Sequence, residues 1–229
     1  MFAPDWLRRV RPALHEDVPQ WFAEFVPPDT PHRQSAVLML FAEHDAATGA
    51  GLDVVLTERS SSLRSHAAQV AFPGGHLDPG DGGPIAAAMR EAEEEAGVIP
   101  ATVEIVDELP ALYMHPSQTS VTPVLGWWRE PHPIGVRDVN EVARVVRADL
   151  DHLLDPTNRF TVRGPGNYRG PGFDVDGLFV WGFTATLLDH VFDLAGLSRP
   201  WERERERPLP QHLLAPYLRR GNTTEPPRA

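Results

Sequence analysis

The chain contains no cysteine. That absence excludes disulfide bridges, a cysteine nucleophile and cysteine-ligated zinc, and it suits a reducing cytoplasm. An excess of positive charge is also missing: 21 basic residues stand against 32 acidic ones, a formal net charge of −11. Nucleic acid and anionic membrane surfaces are therefore not expected as main partners. No apolar run is long and charge-free enough to span a bilayer. The most apolar window, Leu178 to Leu197, carries Asp189, His190 and Asp193 and reads as an amphipathic helix. The opening MFAPDWLRRV lacks the basic-then-apolar pattern of a secretory leader, so a cytoplasmic location is expected. No internal repeat is visible. With 229 residues and 41% hydrophobic content, the chain can bury a core and suggests one domain or one and a half.

What is present concentrates in one stretch, FPGGHLDPGDGGPIAAAMREAEEEAGV, from Phe72 to Val98. Pro84 suits a first helical turn, because the N–H it lacks would be unpaired there anyway. Asp81 precedes it as a candidate cap for free N–H groups. Gly97 is a natural left-handed stop, and Pro100 prevents resumption. The spacing predicts a helix from Pro84 to Ala96. At ~100° per residue, Ile85, Ala88, Met89, Ala92 and Ala96 form a core-facing stripe. Glu91, Glu94 and Glu95 form a second stripe on its border, and Glu93 points elsewhere.

Such a cluster weakens a helix. Like charges four residues apart repel, and acids near the C-terminus oppose the macrodipole. Arg90 neutralises only part of the charge. A run of glutamates is usually a solvated face. Here it follows a Gly-Gly turn and borders an apolar stripe, and a shared divalent cation would relieve the repulsion. Mg²⁺ favours one or two protein carboxylates completed by waters and substrate phosphates.

These residues resemble the Nudix box. Gly75 matches its first glycine, and Arg90, Glu91, Ala92, Glu94, Glu95, Gly97 and Val98 match its last part. Asp81 stands where the box has its first Glu, and the gap from Asp81 to Arg90 is one residue longer. Upstream, VLTERSSSLRSHAAQVAFPGG, Val55 to Gly75, resembles the signature of the coenzyme A pyrophosphatase subgroup of the Nudix hydrolase superfamily. Members of that subgroup carry a similar Asp and a similarly lengthened box. Leu56, Thr57, Arg59, Ser60, Leu63, Arg64, His66, Val70 and Phe72 to Gly75 carry the match. Ala68 departs from it, since the subgroup usually has glycine there.

The resemblance implies an α/β fold, the Nudix-type α/β/α sandwich with a mixed sheet between helices. It implies metal-dependent hydrolysis of the pyrophosphate of CoA or acyl-CoA, to 3′,5′-ADP and 4′-phosphopantetheine or its acyl form. The rivals are hydrolysis of ADP-ribose, NADH or a nucleoside triphosphate, and a non-catalytic sensing module. The expected cofactor is Mg²⁺ or Mn²⁺, held by Glu91, Glu95, Glu94 and the carbonyl of Gly75. Arg90 is expected to orient the glutamates. The base that activates water is Glu94 or Glu91 through the metal shell, or Glu141. Arg59 and Arg64 are candidates for phosphate oxygens, because guanidinium bonds them bidentately; scaffold ion-pairing is the alternative. His66 bonds a phosphate or holds the loop, and His76 reads as a bystander. A homodimer is common in the superfamily, but the spacing is silent on it.

The rest of the chain reads as follows. Residues 1–32 form an arm packed on the domain, with Trp21, Phe22 and Phe25 in one helical turn. Residues 33–197 form the Nudix domain. Strands are expected at Ser35 to Ala42, Leu52 to Thr57, Val70 to Phe72, Ala101 to Leu109, Val121 to Trp128 and Glu141 to Ala148. Pro123 suggests that its strand is an edge or bulged. Ala111 to Ser120 reads as a polar loop. Phe160 to Val162 pairs with Phe173 to Val175, and Trp181 to Leu194 is a second long helix. Residues 198–229 are a charged, proline-containing tail whose composition predicts disorder toward its end. Strands, a box helix, more strands and a C-terminal helix predict a mixed sheet with a helix on each face.

Overall fold

The computed structural model describes residues 2–45, 50–63, 67–115 and 117–214. An N-terminal arm of short helices, α1 (Asp5–Arg8), α2 (Val10–Glu16) and α3 (Gln20–Glu24), leads into β1 (Arg33–Asp45) and β2 (Ala50–Arg59). Then follow β3 (Val70–Ala71), β4 (Gly74–His76), α4 (Pro84–Ala96), β5 (Val103–Glu108), β6 (Leu112–Met114), β7 (Thr119–Trp128) and β8 (Val142–Asp149). The chain closes with α5 (Leu150–Leu154), β9 (Arg159–Arg163), β10 (Arg169–Val175), β11 (Leu178–Val180), α6 (Gly182–Leu194) and β12 (Glu206–Pro208).

The main sheet is mixed. β1 runs parallel to β7, and β2 pairs antiparallel with β1 and β8. β1 gives its C-terminal half to β2 and its N-terminal half to β4, while β3 pairs the far end of β2. The Val70–His76 segment thus fills the opening where β1 and β2 diverge. That is how the glycine pair reaches the middle of the sheet.

Strict alternation along β1 splits the core between two faces. Ala36, Leu38, Leu40 and Ala42 meet Ala87, Ala88, Ala92 and Ala96 of α4. Met39 and Phe41 meet Leu187, Leu188 and Val191 of α6, together with Leu7, Val10 and Leu14 of the arm. The small alanine face of α4 lets that helix lie close against the strands. The sheet therefore has helices on both sides, as the order of elements predicts. Trp21 of α3 packs on Phe183 and stacks on His190 with ring centroids 5.1 Å apart.

Three local expectations differ from the structure. Pro123 lies in β7, between β1 on one side and β5 and β6 on the other, so it is neither edge nor bulge. Its carbonyl accepts from Leu109 N–H, 2.9 Å away, where β5 hands over to β6. The missing N–H falls in that gap, so no ladder bond is lost. Part of the expected Ala111–Ser120 loop is β6, ordered by pairing with β7 and by Tyr113 N–H donating to the carbonyl of Phe25. Ile85 is 38% exposed, and Ala87 takes its place in the buried stripe. The sequence leaves open whether the tail after Ser198 docks; the structure describes it to Leu214, and the GNTTEPPRA end expected to be disordered lies outside the described residues. β12 pairs parallel with β9 in a second sheet, ordered β11-β10-β9-β12, and Leu209 and Leu213 are buried beneath it. Within the ERERER run, Glu202 to Arg205 are exposed, and only Glu206 and Arg207 join β12. Among the described residues, no helix is long and apolar enough to cross a membrane.

Candidate active site

The site forms where α4 meets β4. The helix begins after Gly83, with Pro84 in its first turn and no side-chain cap. Asp81 does not cap it. Its carboxylate instead takes the fork of Arg90, at 3.1 Å from Nε and 3.0 Å from Nη2. That bond to Arg90, above the smaller help from Asp78 N–H, holds the Asp81 carboxyl below the usual carboxylate range. Gly97 ends the helix in the left-handed region (φ 78°), its N–H donating to the carbonyl of Glu93. The 129–141 loop then covers this end. Gly135 N–H donates to Ala96 and Arg137 N–H to Glu95, satisfying carbonyls the helix leaves open. The Arg137 guanidinium lies over Gly97, where a Cβ would stand 2.4 Å from its Nε. This places a cation at the acidic C-terminal end.

Arg90 contacts three carboxylates, those of Asp81, Glu91 and Glu94. Nη1 donates to Glu91 and to Glu94, 3.0 Å each, and Nη2 donates to the carbonyl of His76. Asp81 first, and then Glu91, push the pKa of the guanidinium up. Glu94 is the outermost of the three glutamates, with 58% of its side chain exposed. Glu91 and Glu95 turn inward, one helical turn apart. A Cβ on Gly75 would lie 2.3 Å from Glu91 Oε1, so only glycine lets that carboxylate sit against the strand. Glu95 is 3% exposed and accepts from the N–H of Gly74 at 3.1 Å.

Glu91 shares the Arg90 guanidinium with Asp81 and Glu94, whereas Glu95 has lost water without a cation at hydrogen-bond distance. Burial pushes the Glu95 carboxyl up to about 7, against the Gly74 N–H and Arg59. Burial also raises Glu91, with Arg90 opposing and Glu94 and Glu141 adding repulsion. Arg59 is at the end of β2, beside a pairing irregularity with β8. Its Nη1 is 4.0 Å from Glu95 Oε1, beyond hydrogen-bond range. Its Nε is buried with no hydrogen-bond partner among the described residues. Glu141 precedes β8; its carbonyl accepts from Ser60 N–H at 2.8 Å, and its charge reaches both Glu91 and Glu95. Arg64 and His66 lie outside the described residues.

Among the described residues, no three acidic or histidine side chains are already drawn together at metal-ligating distance. Arg90 stands between Glu91 and Glu94, and Glu95 faces Gly74. The donors nevertheless suit a hard dication. One buried and one half-buried carboxylate, both with raised pKa, lie against a glycine strand whose missing Cβ makes the room, and Mg²⁺ takes one or two protein carboxylates with water and phosphate completing its shell. The fit rests on Glu91 and Glu95, with Glu94 available once it leaves Arg90.

His76, one residue beyond the glycines, faces away from the carboxylates, with Nδ1 2.8 Å from Ser35 Oγ. It borders a groove of about 820 Å³ that also touches His32, Arg33 and Gln34 and contains none of the three glutamates. Two contributors escape sequence reading. The Gly74 N–H that holds Glu95 is foreshadowed only by the double glycine. The Arg137 seat on Gly97 joins residues that no motif connects.

Comparison with known proteins agrees with this geometry. A family model described as the NUDIX domain matches residues 31–161. The chain is 37% identical over 161 residues to an uncharacterized Nudix hydrolase, NudL, of Escherichia coli SMS-3-5, covering 69% of this chain and 80% of that protein. The NudL of Shigella boydii serotype 4 matches with the same identity and coverage. Among solved structures, a MutT/nudix family protein from Enterococcus faecalis aligns with TM-score 0.47 and 16% identity, over 83% of this chain and 73% of that one. A C. elegans Ap4A hydrolase aligns with TM-score 0.42 and 22% identity, over 51% and 80%. The glycine-seated glutamates, the arginine that gathers them and the family match together place this chain in the Nudix family of hydrolases, which act on nucleoside diphosphate derivatives.

Proposed function

We propose that the protein is a metal-dependent CoA pyrophosphatase, hydrolysing CoA or acyl-CoA to 3′,5′-ADP and 4′-phosphopantetheine or its acyl form. One observation carries this reading: the Val55–Gly75 signature runs in register into the Asp81-bearing, lengthened box. The structure gives that departure a physical use, because the shorter Asp81 still reaches both Nε and Nη2 of Arg90.

Glu91 and Glu95 would hold Mg²⁺ or Mn²⁺, with Glu94 and the Gly75 carbonyl as further ligands. When bound, such an ion polarises phosphoryl oxygens and lowers the pKa of water. Arg90 positions Glu91 and Glu94 without touching substrate. Among the described residues, the buried Nε of Arg59 has no hydrogen-bond partner and no carboxylate lies within hydrogen-bond distance of its guanidinium. It is available to bind a phosphate of the diphosphate. Water attacks one phosphorus, the bridging P–O bond breaks, and the bridging oxygen leaves with the other phosphate. Glu141, Glu94 or Glu91 takes the proton from the attacking water. Glu141 stands closest to that role, because its charge reaches both inward glutamates while its own residue stays exposed.

The test is product analysis with Mg²⁺ on CoA, dephospho-CoA, ADP-ribose, NADH and a nucleoside triphosphate. CoA should give 3′,5′-ADP and the highest kcat/KM. Equal or better turnover of ADP-ribose would overturn the CoA assignment. Full activity in Glu95→Gln would tell against the proposed catalytic site, and turnover of none of these substrates by the wild type would leave a sensing module.

A further inference from the structure

The loop that starts at Arg59 is closed at its base by two backbone bonds. Arg59 N–H donates to the carbonyl of Gln69 (2.9 Å), and Ala68 N–H donates to the carbonyl of Arg59 (3.1 Å). Ala68 makes this closure in the left-handed region, with φ 56°. A residue with a Cβ adopts that conformation at a cost that glycine avoids. The methyl that creates the cost also has a seat. Ala68 packs against the third hydrophobic cluster, built from Phe160, Val162, Leu209 and Leu213. Most of this cluster lies outside the family match, which ends at residue 161.

The cluster is anchored to the second sheet. β12 runs parallel to β9, and Leu209 N–H donates to the carbonyl of Arg163 at 2.9 Å. On the other side of Ala68, the hydroxyl of Thr184 in the first turn of α6 donates to the carbonyl of Val70 at 2.9 Å. Ala68 and Val70 are therefore both gripped by elements that contribute nothing to the carboxylates. The chain of contacts runs from the cluster that Leu209 and Leu213 help to build, through Ala68, to the backbone of Arg59, whose side chain stands 4.0 Å from Glu95.

We propose that the segment Glu206 to Leu213 buttresses the Arg59 loop through the methyl of Ala68. Leu209, Leu213 and Ala68 are positioning residues for the substrate-binding arginine. The buttress accounts for a strained alanine at a turn where glycine would be easier. The functional part of this proposal rests on Arg59 binding a substrate phosphate; its first test does not.

The first test is hydrogen exchange by mass spectrometry on the full chain, comparing wild type, Ala68→Gly, Ala68→Ser and Leu213→Ala. Peptides containing the Arg59 and Ala68–Gln69 amides should exchange roughly tenfold faster in Ala68→Gly and Leu213→Ala, while peptides of α4 stay unchanged. Ala68→Ser keeps the Cβ and should stay near wild type. Unchanged exchange at Arg59 and Ala68 in both weakened variants overturns the proposal. If Leu213→Ala does not fold, Leu209→Val and Ala68→Gly decide it.

The second test is kinetic, on whichever nucleoside diphosphate derivative the wild type turns over fastest. KM should rise roughly tenfold with kcat within about twofold. The Ala68→Gly/Leu213→Ala double variant should be no worse than the poorer single variant, because both act through one contact. A fall in kcat at unchanged KM, or additive effects, overturns it. If CoA proves a poor substrate, the CoA assignment fails while the exchange result stands, so the two can fail separately.

Discussion

Helices α4 and α6 are each 13 residues long, and each buries a carboxylate. α6 sets Asp189 directly against a guanidinium, bonded through Nη2 while its Nε and Nη1 make no hydrogen bond among the described residues. The Arg159 guanidinium, only 1% exposed, donates to it, and the rings of Phe173 and Trp201 flank that guanidinium at 4.8 and 4.6 Å. α4 leaves Glu95 short of one, with Arg59 at 4.0 Å and a single N–H from Gly74. Burial lowers the pKa of Arg159, and Asp189 opposes that shift. Burial raises Glu95 to about 7, and nothing opposes it fully. A buried charge matched from within the chain holds structure together. A buried charge left unmatched is ready for a cation from outside.

The largest effect should come from breaking the matched pair. Asp189→Asn strands Arg159 without a counter-charge and should cost about 3–5 kcal/mol of stability, read by urea denaturation. The folded fraction should keep its kcat. A loss of turnover at full stability would erase the distinction between the helices.

Next is the unmatched charge. Glu95→Gln should lower kcat by roughly 10²–10³-fold while the far-UV spectrum stays native, because it removes a candidate metal ligand. Near-wild-type turnover at saturating Mg²⁺ would show that Glu95 belongs with Asp189 as a structural group.

The same substitution carries a pH signature in metal-free protein. Glu95 ionises near 7 when folded, against 4.5 unfolded, so the folded state holds the proton more tightly. That stabilisation is complete below about pH 4.5 and is lost as pH rises through about 7. In chelator, Glu95→Gln should exceed wild type by on the order of 3 kcal/mol at pH 8 and by far less at pH 5. Denaturation midpoints that shift equally at the two pH values would contradict this.

The smallest effect should be at Gly75. Gly75→Ala puts a methyl where the Glu91 carboxylate sits. It should weaken Mn²⁺ binding by roughly 10–100-fold, measured by calorimetry or electron paramagnetic resonance. Unaltered Mn²⁺ affinity would mean that Glu91 can swing clear of the strand without losing its ligand role.

Much of this site is legible in one dimension. Pro84 and Gly97 bound α4 in both reading and structure, because each acts on the backbone within one turn. The stripe of Glu91 and Glu95 beside alanines follows from helical periodicity, as does the alternation of β1. The misreadings share one cause. Asp81 was placed by its proximity to the helix start, yet Arg90, nine residues on, outbids free N–H groups with a charged fork. Pro123 suggested an edge, but its missing donor falls in a gap made by two other strands. Nothing local marks Glu206 and Arg207, at the end of the ERERER run, as the residues that pair with β9.

The sequence alone determined the limits of the box helix, the order in which its acids occur and the glycines opposite them. Those features depend on sterics and periodicity over a few residues. Only the tertiary structure decided which acids lose water. Glu91 and Glu95 turn toward Gly75 and Gly74 while Glu94 stays outermost on Arg90, because β4 pairs with the start of β1 at that height. Desolvation is set by neighbours far away in the chain, and no spacing along it records which neighbours those are.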